Sequence, residues 1–531
     1  MATFKIDDRE IPFEKGDTII RAAHRAGIDI PHYCWHPGLS VAANCRMCLV
    51  ELKPPPGRKP MMLNVLEWDE DKQDYVDAQK PKLVPACQQT VAEGMEVLSQ
   101  SSEHAEHARS AVQELLLLNH PVDCPICDQA GECRLQDYWL EHQAKKKRMR
   151  EEILHKPKGV VFGPTIVYDA ERCIVCTRCV RFCEEVAKDP VLEKRERGNL
   201  SEIVLAQGRK LDHPYTLMTE YVCPVGALTA TDFRFKARVW FLRSVPSVCV
   251  GCATGCNSFT DYDPRNQKVY RYRPRQNLDV NQYWMCDEGM LDYRRIEESR
   301  VLEARVKGKK TELAKAVEKA AKLLSGVPAD SVGVVLSAQH SNEDNYALLK
   351  LARDFIGTGH LFISGRPTGE GDDVLRHRDK NPNTAGVTAL CTSSPPLSFP
   401  VLAKSLEEGR ITHVIALGSD VPDPDKAALL GKAKVLIALA TNEGPMSEHA
   451  TVVLPASSWA ESDGTFVNAK GMAQESERAI SPQGDSRPAW KLASALGAAL
   501  GHATHWKKLG DLRHAMKPEA GAALASAETG A

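Results

Sequence analysis

The sequence predicts a multidomain chain, α+β through its first half and layered α/β through its second. Two observations predict that division. Sixteen of the 17 cysteines lie before residue 287, and the last 245 residues hold only Cys391. Beyond residue 330 the pattern changes to short apolar runs of strand length at 332–336, 361–364, 414–417, 435–438 and 452–454. Helical patterns such as 344–356 separate some of these runs, as a layered α/β domain requires.

Taken in order, residues 3–9 alternate like a strand, a turn follows near 14–17, and 18–26 carry apolar residues at helical spacing. A cysteine-bearing loop comes next. Residues 49–86 contain Pro54-Pro55-Pro56-Gly57 and a charged stretch over 69–77, and read as a loop excursion. Over 103–119 the positions of Ala108, Ala111, Val112, Leu115 and Leu116 predict a helix that delivers His120. Residues 141–152 are rich in Lys and Arg and read as a solvated helix face, not a nucleic-acid contact. Gly369-Glu370-Gly371 lacks the third glycine and the strand-to-helix setting of a nucleotide loop, so a plain loop is expected. Residues 516–531, rich in Ala, Gly and Glu, read as a frayed tail.

Composition narrows the function. The formal net charge is −2, from 68 basic and 70 acidic residues, so no global field recruits nucleic acid. A disulfide framework belongs to short secreted chains. This chain has 531 residues, no hydrophobic leader after Met1 and no apolar run of membrane-spanning length, which leads us to expect a soluble, cytoplasmic protein with reduced thiols. No acid, base and nucleophile converge in the sequence, and no catalytic residue is expected.

The cysteines fall into four groups. Cys34, Cys45 and Cys48 form C-x10-C-x2-C, with Cys87 as a distant fourth member. His120, Cys124, Cys127 and Cys133 form H-x3-C-x2-C-x5-C. Cys173, Cys176 and Cys179 form C-x2-C-x2-C, with Cys223 downstream in a Cys-Pro pair. Cys249, Cys252 and Cys256 form C-x2-C-x3-C, followed by Cys286. Sulfide-bridged iron prefers soft thiolates, and short C-x2-C steps let one loop reach different irons of one cluster while a distant cysteine closes the cage. Structural zinc also takes sets of four cysteines, or of three cysteines and a histidine. Four groups in succession, one of them the tight C-x2-C-x2-C triplet, favour iron–sulfur clusters and an electron carrier. Cys183 and Cys391 are left over and are expected to be buried free thiols.

Each group has its own likeness. The first resembles a plant-type [2Fe-2S] ferredoxin with a lengthened loop. In the second, a neutral imidazole would replace one thiolate and raise the potential. The third looks like half of a bacterial two-cluster ferredoxin, and the fourth, with Cys286-Asp287-Glu288-Gly289, resembles the [4Fe-4S] segment that opens molybdopterin-dependent oxidoreductases. Together with Tyr33-Cys34-Trp35-His36-Pro37, Asn119-His120-Pro121-Val122-Asp123-Cys124 and Tyr221-Val222-Cys223-Pro224-Val225-Gly226, the order and spacing resemble the large iron–sulfur subunit of respiratory complex I, the G-subunit family of NADH-quinone oxidoreductase, over about residues 1–300. Residues 411–475, with Gly444-Pro445 and Glu461-Ser462-Asp463-Gly464-Thr465, are similar to the pterin-binding fold on which that family's C-terminal half is built.

The resemblance implies a β-grasp [2Fe-2S] ferredoxin domain over 1–100, a helical [4Fe-4S] segment with one histidine and three cysteine ligands over 101–145, and a bacterial ferredoxin-like [4Fe-4S] domain over 146–241. A [4Fe-4S] segment over 242–300 and a reduced molybdopterin-oxidoreductase-like α/β domain over 301–515 would follow, without molybdopterin, ahead of the tail. It implies one [2Fe-2S] and three [4Fe-4S] clusters relaying electrons from an NADH/FMN partner toward quinone, with the Cys249 group structural rather than conducting. Implied partners are the flavin/NADH-binding subunit, the small [2Fe-2S] subunit and the quinone-module subunits. The implied place is the cytoplasmic face of the inner membrane, with the membrane reached only through the complex. Two other classes share these modules: a molybdopterin-dependent formate dehydrogenase, which needs a metal-ligating cysteine for which Cys391 is the one candidate, and the relay subunit of an NAD-linked hydrogenase.

Overall fold

A computed structural model describes residues 2–392, 394–502 and 506–517. The chain forms two compact units, Met1–Trp240 and Phe241–Ala531. Among the described residues no helix is long and apolar enough to cross a membrane. The expected tail lies almost wholly outside the described residues.

The first unit opens with a hairpin where a single strand is expected. Thr3–Ile6 and Arg9–Pro12 pair antiparallel, and Asp7 turns between them at φ +50°. Its carboxylate accepts hydrogen bonds from the backbone N–H of Ser99 (2.8 Å) and Ser101 (3.2 Å), long-range bonds that tie the hairpin turn to the chain after strand Glu96–Leu98. The hairpin joins a five-stranded sheet in the order Arg9–Pro12, Thr3–Ile6, Glu96–Leu98, Leu49–Lys53, Val84–Pro85. Helix Ile19–Arg25 buries Ile19, Ile20, Ala22 and Ala23 in one core with Phe4, Ile6, Val50 and Val97. Each fully buried isoleucine contributes about 1.5–3 kcal/mol.

The expected loop excursion over 49–86 is largely regular. Met62–Asp69 and Asp74–Pro81 form an eight-residue antiparallel ribbon whose side chains are mostly exposed. Asp69 Oδ1 accepts the N–H of Asp71 and Lys72 to form the turn, and Trp68 packs edge-on to Tyr75 with centroids 5.2 Å apart.

Helix Glu103–Leu117 matches the expected one, capped by Ser102 Oγ accepting from Ala105 N (3.1 Å). Its inward stripe is polar, however: Ala105, Arg109 and Gln113 are buried, while Ala111 and Leu115 are exposed. Arg109 donates to Ser99 O (2.9 Å) and Leu49 O (3.3 Å). Gln113 accepts from Tyr33 Oη (2.5 Å) and donates to Leu135 O (2.8 Å). The basic stretch over 141–152 is not a helix. Helix Arg134–His142 ends there, Ala144 takes φ +35°, and the like charges that follow run without regular structure.

In the second unit, Arg243–Val248, Asn257–Asp263 and Lys268–Pro274 form an antiparallel sheet. An eight-stranded sheet follows, and all five expected strands lie in it. Six strands run parallel, and numbered along the chain from Val332–Ser337 they stand in the order 3-2-1-4-5-6. Alternate residues serve opposite faces. Val334 and Leu336 join a core with helices Leu313–Leu324 and Ala489–Ala499, and Val335 joins another with helix Phe399–Glu407. Burial of both faces explains the continuous apolar runs.

Candidate metal centres

The first group sits on the loop between helix Ile19–Arg25 and strand Leu49–Lys53, with Cys87 brought in after Val84–Pro85. Cys34, Cys48 and Cys87 are buried. The Cys34 and Cys45 thiols hydrogen-bond to each other, as do those of Cys48 and Cys87; that bond holds Cys34 and Cys87 below the ordinary thiol range and pushes Cys45 and Cys48 up. Four thiols thus meet in two proton-sharing pairs, and metal binding would displace those protons.

In the second group, Cys124, Cys127 and Cys133 lie within electrostatic reach of one another. Burial raises the Cys127 thiol and pushes Cys133 up to about 11, while Cys124 is exposed. Burial, reinforced by Arg172, lowers His120 to about 4, so its imidazole is neutral at pH 7, the form that ligates metal. Arg172 also neighbours Cys127 and pairs with Asp123 through Nη2 (2.8 Å).

The third group rings a small cavity: Cys173, Cys176, Cys179 and Cys223 line it together with Tyr168 and Ile203. Burial pushes Cys173 and Cys176 up to about 11 and Cys223 up to about 12. The Tyr168 hydroxyl and the Val175 N–H (3.4 Å) donate toward Cys173 Sγ. Val175 and Thr177, both β-branched, flank Cys176 at φ +52° and +62°, and Ala43 and Arg46 near Cys45 take +50° and +59°. Such conformations cost about 1–3 kcal/mol each and gather at functional sites. Cys183 is not on this wall. It is buried, its Sγ lies 3.5 Å from His213 Nε2, and burial pushes it up to about 12.

The fourth group rings a second cavity, lined by Cys249, Cys252, Cys256, Cys286, Gly251 and Gly289. Gly251 N–H donates to Cys249 Sγ (3.4 Å) and Gly289 N–H to Cys286 Sγ (3.3 Å). Burial raises Cys249 and Cys256 well above the usual thiol range and Cys286 to about 12.

These donors fit iron–sulfur clusters. Buried thiols held protonated only by desolvation become good ligands once metal supplies the compensating charge, and N–H···S bonds are what such clusters use to tune potential. The glycines leave room. A Cβ at Gly226 would overlap Cys127 Sγ, and one at Gly289 would stand 3.0 Å from Cys249 Sγ. Among the described residues no three donors converge as a single bound ion needs. Thiols around a cavity instead suit a cage whose irons each take one ligand.

Sequence reading missed Tyr168, Gly226, Gly289, Arg172, Arg178 and Arg181. Only Gly226, inside Cys223-Pro224-Val225-Gly226, and Gly289, inside Cys286-Asp287-Glu288-Gly289, carried a local signal. A separate cavity of about 210 Å³ opens between the first and fourth parallel strands at their carboxyl ends, lined by Ser337, His340, Ser419, Thr441, Ser458 and Trp459 among others. This is the place where open α/β sheets bind ligands. Cys391 is not among its lining residues and lies in the hydrophobic core with Leu390 and Val387.

Comparison with known proteins follows the same order along the chain. Residues 1–102 match the 2Fe-2S iron-sulfur cluster binding domain and 109–148 the NADH-ubiquinone oxidoreductase-G iron-sulfur binding region. Residues 163–229 match the NADH-quinone oxidoreductase subunit 3 ferredoxin-like domain and 318–499 molybdopterin oxidoreductase. The G subunit of NADH-quinone oxidoreductase from Streptomyces coelicolor is 34% identical over 77% of this chain and 48% of its own length. The corresponding G subunit from Mycobacterium bovis is 34% identical over 74% and 47%. The mitochondrial NADH-ubiquinone oxidoreductase 78 kDa subunit of Candida albicans is 37% identical over 53% and 36%. The chain spans about half the length of the two bacterial relatives it matches. A chain of an NAD+-reducing [NiFe]-hydrogenase, solved in the H2-reduced state, covers 45% of this chain and 91% of its own at 28% identity, with a TM-score of 0.36. With its iron–sulfur and molybdopterin-oxidoreductase domains in matching order, the chain is similar over most of its length to the G subunits of NADH-quinone oxidoreductase.

Proposed function

We propose that this chain is an electron-relay subunit of an NADH:quinone oxidoreductase, taking electrons from a flavin-bearing NADH-oxidising partner and passing them toward quinone, coupled in the assembly to proton translocation. Cys34, Cys45, Cys48 and Cys87 would hold one [2Fe-2S] cluster on a β-grasp domain. His120 with Cys124, Cys127 and Cys133, then Cys173, Cys176 and Cys179 with Cys223, then Cys249, Cys252 and Cys256 with Cys286, would hold three [4Fe-4S] clusters. When bound, such clusters accept and release one electron at a time.

One observation carries this reading: three of the groups are tied together by direct hydrogen bonds within one unit. Gln113 joins Tyr33, next to Cys34, to Leu135, two residues after Cys133. Arg134 N–H donates to Pro224 O (3.1 Å), beside Cys223. Arg181 reaches both Cys34 O (2.5 Å) and Cys176 O (3.4 Å). Rate along a relay depends on spacing between carriers, and this bonding fixes the spacing.

The fourth group belongs to the other unit and is assigned to structural support, since cluster binding is itself folding free energy. The partners proposed are the flavin/NADH-binding, small [2Fe-2S] and quinone-module subunits, at the cytoplasmic face of the inner membrane. Molybdopterin is not expected; the core position of Cys391, away from the 210 Å³ cavity, supports that. Cys176→Ala in the assembled complex should remove one [4Fe-4S] signal and stop NADH-to-quinone turnover while artificial acceptors still oxidise NADH. Retained quinone turnover would sink the relay assignment.

A further inference from the structure

Helix Arg178–Glu185 begins one residue before Cys179 and carries two arginines that face away from solvent, Arg178 at 6% and Arg181 at 8% exposure. Arg178 donates to Val222 O (3.4 Å), the residue before Cys223, and to Trp35 O, the residue after Cys34. Arg181 donates to Cys34 O (2.5 Å), Cys176 O (3.4 Å) and Ser40 O. Two further bonds close the same seam: Glu185 Oε2 accepts from Ser40 N (2.8 Å), and Asn44 Nδ2 donates to Val175 O (3.4 Å). The two guanidiniums thus direct these five bonds to main-chain carbonyls of the first and third cysteine groups. The Nε of each is buried without a hydrogen-bond partner.

Carbonyls satisfy N–H groups but do not neutralise charge, and a buried cation without an anion is costly. The compensating anions are the thiolates that metal binding would create on either side: Cys176, Cys223 and Cys34 are electrostatic neighbours of Arg178, and Cys34 is a neighbour of Arg181 as well. Each arginine therefore lies within reach of both groups at once.

We propose that Arg178 and Arg181 form a shared cationic bridge that raises the reduction potentials of the first and third sites together. Resting on the relay reading, this adds a tuning device to it. An electron arriving at either site adds one negative charge with no bond made or broken, and a fixed guanidinium beside it, shielded from water, favours that added charge. Because the bridge serves both sites, losing it lowers both potentials and so disturbs the driving force between them less than it disturbs each one.

The test is a potentiometric titration of the full chain followed by electron paramagnetic resonance, with the two signals assigned by their loss in Cys48→Ala and Cys176→Ala. Arg178→Gln and Arg181→Gln keep a carbonyl-directed donor and remove the charge. Each should lower both midpoint potentials, by about 59 mV for every tenfold in the one-electron equilibrium. Arg178→Lys and Arg181→Lys keep the charge and should hold both closer to wild type than Gln does. A Gln variant that shifts one signal alone, or neither, overturns the bridge. Should a Gln variant fail to load iron, Arg178→Met and Arg181→Met, which remove the charge while keeping much of the side chain's bulk, are read in its place: both potentials falling supports the bridge, and one falling alone or neither falling overturns it. Absence of the two signals from the wild-type chain would instead remove the relay reading itself.

Discussion

Gly226 illustrates how a residue without a side chain shapes a site. It lies three residues after Cys223, and its missing Cβ is the space that Cys127 Sγ occupies, so a glycine of the third group's segment makes room for a ligand of the second. Gly226→Ala should displace Cys127 and lower the iron content by about four atoms per chain while the first group keeps its [2Fe-2S] signal; full iron loading would refute the packing argument. His340 makes a different prediction. Burial and Arg295 hold its imidazole down at about 4 against the ordinary 6.5. The native state keeps it neutral while the unfolded chain takes up a proton, so its contribution is present above pH 6.5 and lost as pH falls toward 4. Asp344, pushed up to about 6 by burial, acts in the opposite sense, stabilising below pH 3.8 and losing that contribution as pH rises through 6. His340→Gln should therefore reduce the loss of stability between pH 7 and 4.5 by about 2 kcal/mol, measured by denaturant unfolding of the full chain; an unchanged pH dependence would contradict it. At this scale the cysteine groups stood out in the sequence because thiolate chemistry uses one residue type, much of it here at short spacing. Arg178, Arg181 and Arg172 did not, because what they touch is set by loops and strands distant in sequence, as Arg178 touches Trp35.

Among the elements, the parallel strands were the easiest to read. Val332–Ser337 is buried on both faces, and a continuous apolar run follows from that alone. Leu336→Ala, in the core formed with helices Leu313–Leu324 and Ala489–Ala499, should cost about 2–5 kcal/mol, read from the unfolding midpoint. A loss below about 1 kcal/mol would mean the site collapses freely. The ribbon of Met62–Asp69 and Asp74–Pro81 was not legible, because with both faces largely exposed it has no buried side to impose alternation. Lys82 N bonds Met61 O (2.8 Å) at its base, so the ribbon can be excised with its ends already adjacent. A chain lacking residues 62–81 should retain its iron content and the [2Fe-2S] signal; losing either would assign the ribbon a part in the first site. The basic stretch over 141–152 was misread as a helix because Lys and Arg are good helix formers. After His142 neither a cap nor an apolar face sustains one.

For the molecule as a whole, the cysteine distribution breaks at residue 287, whereas the fold divides between Trp240 and Phe241. Three groups occur in the first unit, and the fourth precedes a large doubly covered sheet in the second. The 3-2-1-4-5-6 strand order and the cavity at its switch point could not be read from the strands alone, since order along the chain does not state order in space. Metal content tests the central claim most directly. Anaerobically purified protein should contain about 14 irons per chain, the sum for one [2Fe-2S] and three [4Fe-4S] clusters, with matching acid-labile sulfide and no stoichiometric zinc, molybdenum or tungsten. Stoichiometric zinc in place of iron, or molybdenum or tungsten bound beside it, would contradict the account of this chain as an iron–sulfur relay.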